Sequence, residues 1–128
     1  RAGFDVKVLS PSIIKSATHL FDLVVVDVPC SGTGVWRRNP GDKWSLSPDS
    51  LHTIVLNQKK ILKNAAAYVK DGGMLAYITC SILGSENRDQ INWFLSRDRS
   101  FSFNADKFMP PVDGGDGFFV ALLTKSSK

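Results

Sequence analysis

The sequence predicts an α/β domain, a mostly parallel sheet with helices between its strands and an antiparallel strand to close it. Three observations predict it. Phe21 to Val26 is a continuous apolar run rich in β-branched residues, the mark of a central strand buried on both faces. Met74 to Ile78 is a second such run. Between them Leu51, Ile54, Val55, Ile61, Leu62, Ala65, Ala66 and Val69 recur at helical spacing and form one buried stripe. Strand, helix and strand in that order make the unit from which parallel sheets are built.

Each element follows from local chemistry. Val6 to Leu9 reads as a short opening strand, broken by Ser10-Pro11-Ser12. The strand Phe21 to Val26 ends at Asp27, because Val28 precedes Pro29 and is held extended. Gly32 and Gly34 let the backbone turn sharply, and residues 35 to 46 form a loop with Trp36, Arg37, Arg38, Lys43 and Trp44. Ser47 is a good N-cap with Pro48 at the first helical position, so the long helix starts there. Asp71-Gly72-Gly73 stops it, with a glycine as the left-handed cap. After the strand Met74 to Ile78, a second helix from about Ser85 to Leu95 buries Ile91, Phe94 and Leu95. Phe101 to Phe103 and Phe118 to Thr124 are two closing strands, separated by Pro110-Pro111 and the glycine-rich stretch 114 to 117. The order is that of the second half of a doubly wound sheet, with the opening half absent.

A chain of 128 residues with 43% hydrophobic content makes one domain with a real core. The net charge of +4 tilts it mildly toward a polyanionic partner. No apolar run approaches the roughly 18 residues of a membrane helix, and no signal-peptide pattern opens the chain. The domain reads as cytoplasmic, so its two cysteines are expected as free thiols. His19 and His52 have no Cys-x-x-Cys or His-x-x-x-His spacing to support a metal site.

Those cysteines are the most informative residues. Cys30 and Cys80 each fall just after a strand, where open α/β sheets carry their chemistry, and two thiols there suggest nucleophilic catalysis. Arg37, Arg38 and Lys43, interleaved with Trp36 and Trp44, read as phosphate contacts with stacking platforms for splayed bases.

The motifs Asp27-Val28-Pro29-Cys30-Ser31-Gly32-Thr33-Gly34, Arg37-Arg38-Asn39-Pro40, Lys43-Trp44 and Thr79-Cys80-Ser81 together resemble the Sun/RsmB-type RNA cytosine-5 methyltransferases. Glu86-Asn87, opening the helix after Thr-Cys-Ser, Gly115-Asp116-Gly117-Phe118-Phe119 before the last strand, and Arg1-Ala2-Gly3 extend the likeness across the chain. The resemblance implies the second half of a Rossmann-like class I methyltransferase sheet. It implies S-adenosylmethionine as cosubstrate and RNA, with ribosomal RNA expected, as partner.

It also implies roles. Cys80 is the nucleophile that adds to C6 of cytosine, so that C5 becomes an enamine-like carbon able to take a methyl group. Cys30 assists release of the methylated RNA, whereas DNA cytosine methyltransferases use the cysteine of the Pro-Cys motif for attack. Asp27 touches both the target cytosine and the methionine end of S-adenosylmethionine. Pro29 keeps the turn rigid, so that Asp27 and Cys30 are fixed relative to each other.

The family's Pro-Gly-Gly-Lys-Thr cofactor loop and ribose-gripping acid are not in this sequence, and Ser10-Pro11-Ser12 stands near where an adenine-contacting aspartate is common. The expectation is a C-terminal part of a larger methyltransferase that is inactive alone. Two other classes remain open at this point. One is a noncatalytic RNA-binding module of the same fold, for which Cys80 and Asp27 have no use. The other is a thiol hydrolase pairing Cys30 or Cys80 with His19 or His52.

Overall fold

The apolar runs assemble into one four-stranded sheet. The computed structural model describes residues 3, 6–15, 18, 19 and 21–127. Its strands are β1 (Phe21–Asp27), β2 (Val69–Thr79), β3 (Phe101–Met109) and β4 (Phe118–Lys125), in the spatial order β1-β2-β4-β3. β1 and β2 are parallel, and β4 runs antiparallel to both β2 and β3. Among the described residues three α-helices accompany them: α1 (Pro11–Lys15), α2 (Pro48–Ala66) and α3 (Arg88–Arg97). Arg1 and Ala2 of the Arg1-Ala2-Gly3 match lie outside the described residues.

The start of α2 is as the sequence predicts. The Ser50 amide donates to Ser47 Oγ at 3.1 Å and the Ser47 amide donates to Ser50 Oγ at 2.9 Å, a reciprocal capping box with Pro48 in the first turn. Its end is earlier than predicted. The Tyr68 amide bonds to the Ala65 carbonyl at 3.0 Å, and Val69, read as helical, opens β2 opposite Phe21. Burying Val69 in the sheet outweighs one more helical turn. Gly72, at φ 77°, serves an irregularity within β2 and does not cap the helix.

Two further readings are corrected. Val6 to Leu9 form no strand, and Val6 and Val8 are 75% and 91% exposed. An extended segment is held only by a ladder partner, and among the described residues the outer edge of β1 pairs with nothing. Among the described residues β1 is accordingly an edge strand and not, as read, a central one buried on both faces. Val24 and Val26 pack against the core, while Leu23 and Val25 on the other face stay about half exposed. β3 is longer than its Phe101–Phe103 signal, because exposed polar residues such as Ser102, Asn104 and Lys107 sit on an edge strand that pairs with β4 to Met109, with one irregularity between Phe103 and Ala105.

The core lies between the sheet and α2 and α3. Leu62, Val69, Leu75, Tyr77, Ile91, Phe94 and Leu123 are all buried there. Phe94 meets Phe101 edge to face, ring centroids 5.2 Å apart, which locks α3 onto β3.

Candidate active site

Parallel strands end on the same side, and this brings the two cysteine motifs together. The register pairs Asp27 with Ile78, so the segments leaving β1 and β2 run side by side. The Val28 amide continues the ladder to the Ile78 carbonyl at 3.1 Å, and the Gly34 amide returns to the Cys80 carbonyl at 2.9 Å. Position 34 admits no side chain, since a Cβ would stand 2.8 Å from the Cys80 oxygen and 2.3 Å from the Gly117 oxygen. Between these two anchors Cys30 Sγ stands 3.2 Å from Cys80 Sγ. Both are free, partly buried thiols.

A buried carboxyl lies behind them. Glu86, in the turn Gly84–Glu86 before α3, is 0% exposed. Its Oε1 accepts from the Ser31 amide at 2.8 Å and from Gln58 Nε2 of α2 at 3.0 Å. Its Oε2 accepts from Ser31 Oγ and from Ser81 Oγ, each at 2.5 Å. Next to it Asn87 accepts from Thr79 Oγ1 at 2.6 Å and donates to the Ser81 carbonyl at 2.8 Å. The sequence reading used Glu86 and Asn87 only as a motif match. A sharper signal was present: Ser31, Thr33, Thr79 and Ser81 flank two thiols on apolar strands, and buried hydroxyls need an acceptor.

One thiol of the pair holds its proton tightly. Cys30 is pushed up to about 12, by burial first and then by the hydrogen bond it shares with Cys80. Tyr77, whose hydroxyl donates to the Glu86 carbonyl at 2.7 Å, is also held protonated, by burial and by the negative charge of Glu86. The sign of the stability effect follows. A group whose pKa is higher in the fold than in the unfolded chain contributes fully below its ordinary value, here 9.0, and loses that contribution as pH rises toward about 12. Raising the pH from about 8 to about 11 should therefore lower the melting midpoint of the unmodified chain more than that of Cys30→Ser, whose hydroxyl does not titrate in that range. Thermal melts at the two pH values check this, and equal losses would remove Cys30 as the cause.

The other predicted residues divide. Asp27 is an exposed carboxylate at the end of β1, and Pro29 is exposed beside it, its carbonyl accepting from Gln58 Nε2 at 3.1 Å. Arg37 and Arg38 converge on Asp116, at 3.7 and 2.9 Å, tying their loop to the segment before β4. Lys43 lies with Asp42 and Trp44 on one exposed turn, its Nζ 4.7 Å from the centre of the Trp44 ring, and that indole is 82% exposed. Trp36 is half-buried. A cavity of about 250 Å³ opens beside Cys30, lined also by Ser31, Asp42, Ser45, Leu46, Ser50 and Ile54. The histidines do not join the thiols. His52 is exposed on α2, and His19 Nδ1 lies 2.7 Å from Lys125 Nζ, near Val69 at the opposite end of β2 from Cys80. A cysteine–histidine hydrolase is thereby set aside.

Comparison with known proteins agrees with this arrangement. The family model described as 16S rRNA methyltransferase RsmB/F matches residues 4–124. Ribosomal RNA small subunit methyltransferase B of Pectobacterium atrosepticum is 39% identical over 116 residues, covering 84% of this chain and 27% of that protein. The enzyme of the same name from Proteus mirabilis is 43% identical over 111 residues, covering 85% and 26%. This chain thus spans about a quarter of the length of these relatives. The crystal structure of PH0851 superposes with a TM-score of 0.82 at 33% identity, covering 91% of this chain and 29% of that one. A methyltransferase homolog protein from Pyrococcus horikoshii superposes at 0.73 with 23% identity, covering 88% and 41%, which supports the fold. With two cysteine motifs joined at one strand edge and a family match along nearly its whole length, the chain belongs to the RsmB/F family of 16S rRNA methyltransferases.

Proposed function

We propose that this chain carries the catalytic cysteines of an enzyme that transfers a methyl group from S-adenosylmethionine to C5 of a cytosine in ribosomal RNA, through a covalent bond between Cys80 and C6. The observation behind this reading is the pair of free thiols 3.2 Å apart at the adjoining ends of two parallel strands. S-adenosylmethionine is the methyl donor of the RsmB/F family and, when bound, supplies an electrophilic methyl group. The donor set fits one end of it. Asp27, an exposed carboxylate at the carboxyl end of β1, suits the ammonium of its amino-acid part.

The chain's own residues then do the following. The Cys80 thiolate adds to C6, and the electron pair of the C5–C6 double bond becomes available at C5 for attack on the methyl group. After transfer a base takes the C5 proton, the C–S electron pair returns to sulfur, and the C5–C6 double bond re-forms. Cys30, which keeps its proton at neutral pH, donates a hydrogen bond from its S–H to the departing Cys80 sulfur and so lowers the barrier to release. This accounts for two neighbouring thiols with different roles.

Arg37, Arg38 and Lys43 serve the RNA. Both arginines are more than half exposed while Asp116 is only 18% exposed, so they can present their outer N–H groups to an RNA phosphate without leaving Asp116. Trp44, open on one turn with Lys43, suits base stacking.

The test is to incubate the full-length protein with 16S rRNA and methyl-labelled S-adenosylmethionine, digest the RNA to nucleosides and separate them. Label should run with 5-methylcytidine. Label in another nucleoside, or in none, overturns the reading.

A further inference from the structure

We propose that Glu86 is the positioning residue of this active site: its buried carboxyl clamps the residue after each cysteine and thereby sets the distance between the two sulfurs. The inference rests on the roles proposed for Cys80 and Cys30 and extends them to a group in contact with neither RNA nor methyl donor.

The geometry has three parts. Ser31 follows Cys30 and Ser81 follows Cys80, and a single oxygen, Glu86 Oε2, accepts from both hydroxyls, which stand 3.4 Å from each other. The second oxygen binds the backbone of the first cysteine loop through the Ser31 amide and fastens it to α2 through Gln58. Gln58 in turn donates to the Pro29 carbonyl, so both neighbours of Cys30 are held from one point.

A buried carboxyl is costly to keep unless donors surround it, and among the described residues Glu86 forms no ion pair. Four hydrogen bonds from three segments compensate it. Two of those segments are the cysteine loops. If both hydroxyls are released, the loops keep their backbone anchors at Val28 and Gly34 and the contact of Thr33 with Ser81, but lose the shared oxygen that holds the residue after each cysteine. A shift of about 1 Å in such a relation can cost on the order of 100-fold in rate.

Two substitutions separate positioning from mere stability. In Glu86→Gln the amide oxygen still accepts from the Ser31 amide and Gln58, and the two serine hydroxyls turn to accept from the amide nitrogen. The clamp survives with reversed hydroxyls. In Glu86→Ala it is gone.

The first readout is the rate at which diamide joins Cys30 to Cys80 in the full-length protein, followed by mass spectrometry of the linked peptides. Diamide oxidises the two thiols to a disulfide and is itself reduced to the hydrazine, so the rate reports how often the sulfurs meet. The second is kcat and KM for methyl transfer. Glu86→Gln should form the disulfide within about twofold of the unmodified rate, and Glu86→Ala about tenfold more slowly. Glu86→Ala should lose kcat with KM unchanged, and Glu86→Gln should restore it. If Glu86→Ala does not fold, Ser31→Ala combined with Ser81→Ala takes its place with the same expectation.

A folded variant without the clamp that forms the disulfide at the unmodified rate overturns the inference. So does one that forms it slowly yet keeps kcat. The failure of the catalytic reading looks different, since the disulfide rates would respond as expected while Cys80→Ala went on transferring methyl groups.

Discussion

Replacing Cys80 with alanine in the full-length protein abolishes methyl transfer, a loss on the order of 10⁴-fold or more, the scale on which covalent nucleophiles count. The expectation follows from where the thiol lies. Cys80 follows the last residue of β2 and is partly open, while Thr79 and Ser81 on either side are buried and tied to Asn87 and Glu86. The backbone at position 80 is therefore held by its neighbours, and the smaller side chain leaves the fold intact. What disappears is the sulfur proposed to add to C6, and without that addition C5 remains part of an aromatic ring and a poor nucleophile. Single-turnover transfer of labelled methyl groups, with circular dichroism to confirm folding, measures the loss. Substantial residual activity would hand the nucleophile's role to Cys30, the arrangement of the DNA enzymes.

Replacing Cys30 with alanine has the opposite signature. Attack by Cys80 proceeds, methyl transfer follows, and the enzyme then stays attached to its product. The hydrogen bond across 3.2 Å is lost, so the Cys80 sulfur leaves C6 with nothing to stabilise it. Removing a donor of this kind slows a step by about 10²–10³-fold, so multiple turnover should fall by that factor. The protein should then appear as an RNA-linked band of reduced mobility on a denaturing gel. That band should need both RNA and S-adenosylmethionine, and a second substitution, Cys80→Ala, should remove it. Free multiple turnover without the band would deny Cys30 a part in release.

Much of this was legible in the sequence. The capping of α2 at Ser47-Pro48 could be read directly, because a cap is a contact among residues a few positions apart. The strand cores of β1, β2 and β4 were legible for a similar reason, since β-branched and aromatic runs have few other ways to bury themselves. The end of α2 was misread. Val69 continues the helical stripe, and only the presence of Phe21 across the ladder makes an extended Val69 the better choice. Val6 to Leu9 failed for the complementary reason: a strand pattern has no strength until another edge receives it.

The site divides along the same line. Cys30, Cys80 and Asp27, the thiols at two strand ends and the carboxylate beside one of them, could be named from spacing and motif, because strand ends are local features. That the sulfurs lie 3.2 Å apart, that Arg37 and Arg38 meet on Asp116, and that Glu86 joins Ser31 to Ser81 were decided by the tertiary structure alone. The sequence by itself determined which chemical groups this protein brings to the candidate site. The parallel pairing of β1 with β2 decided their distances, because register and burial are set by partners some fifty residues apart, and only there does a buried glutamate find four hydrogen-bond donors.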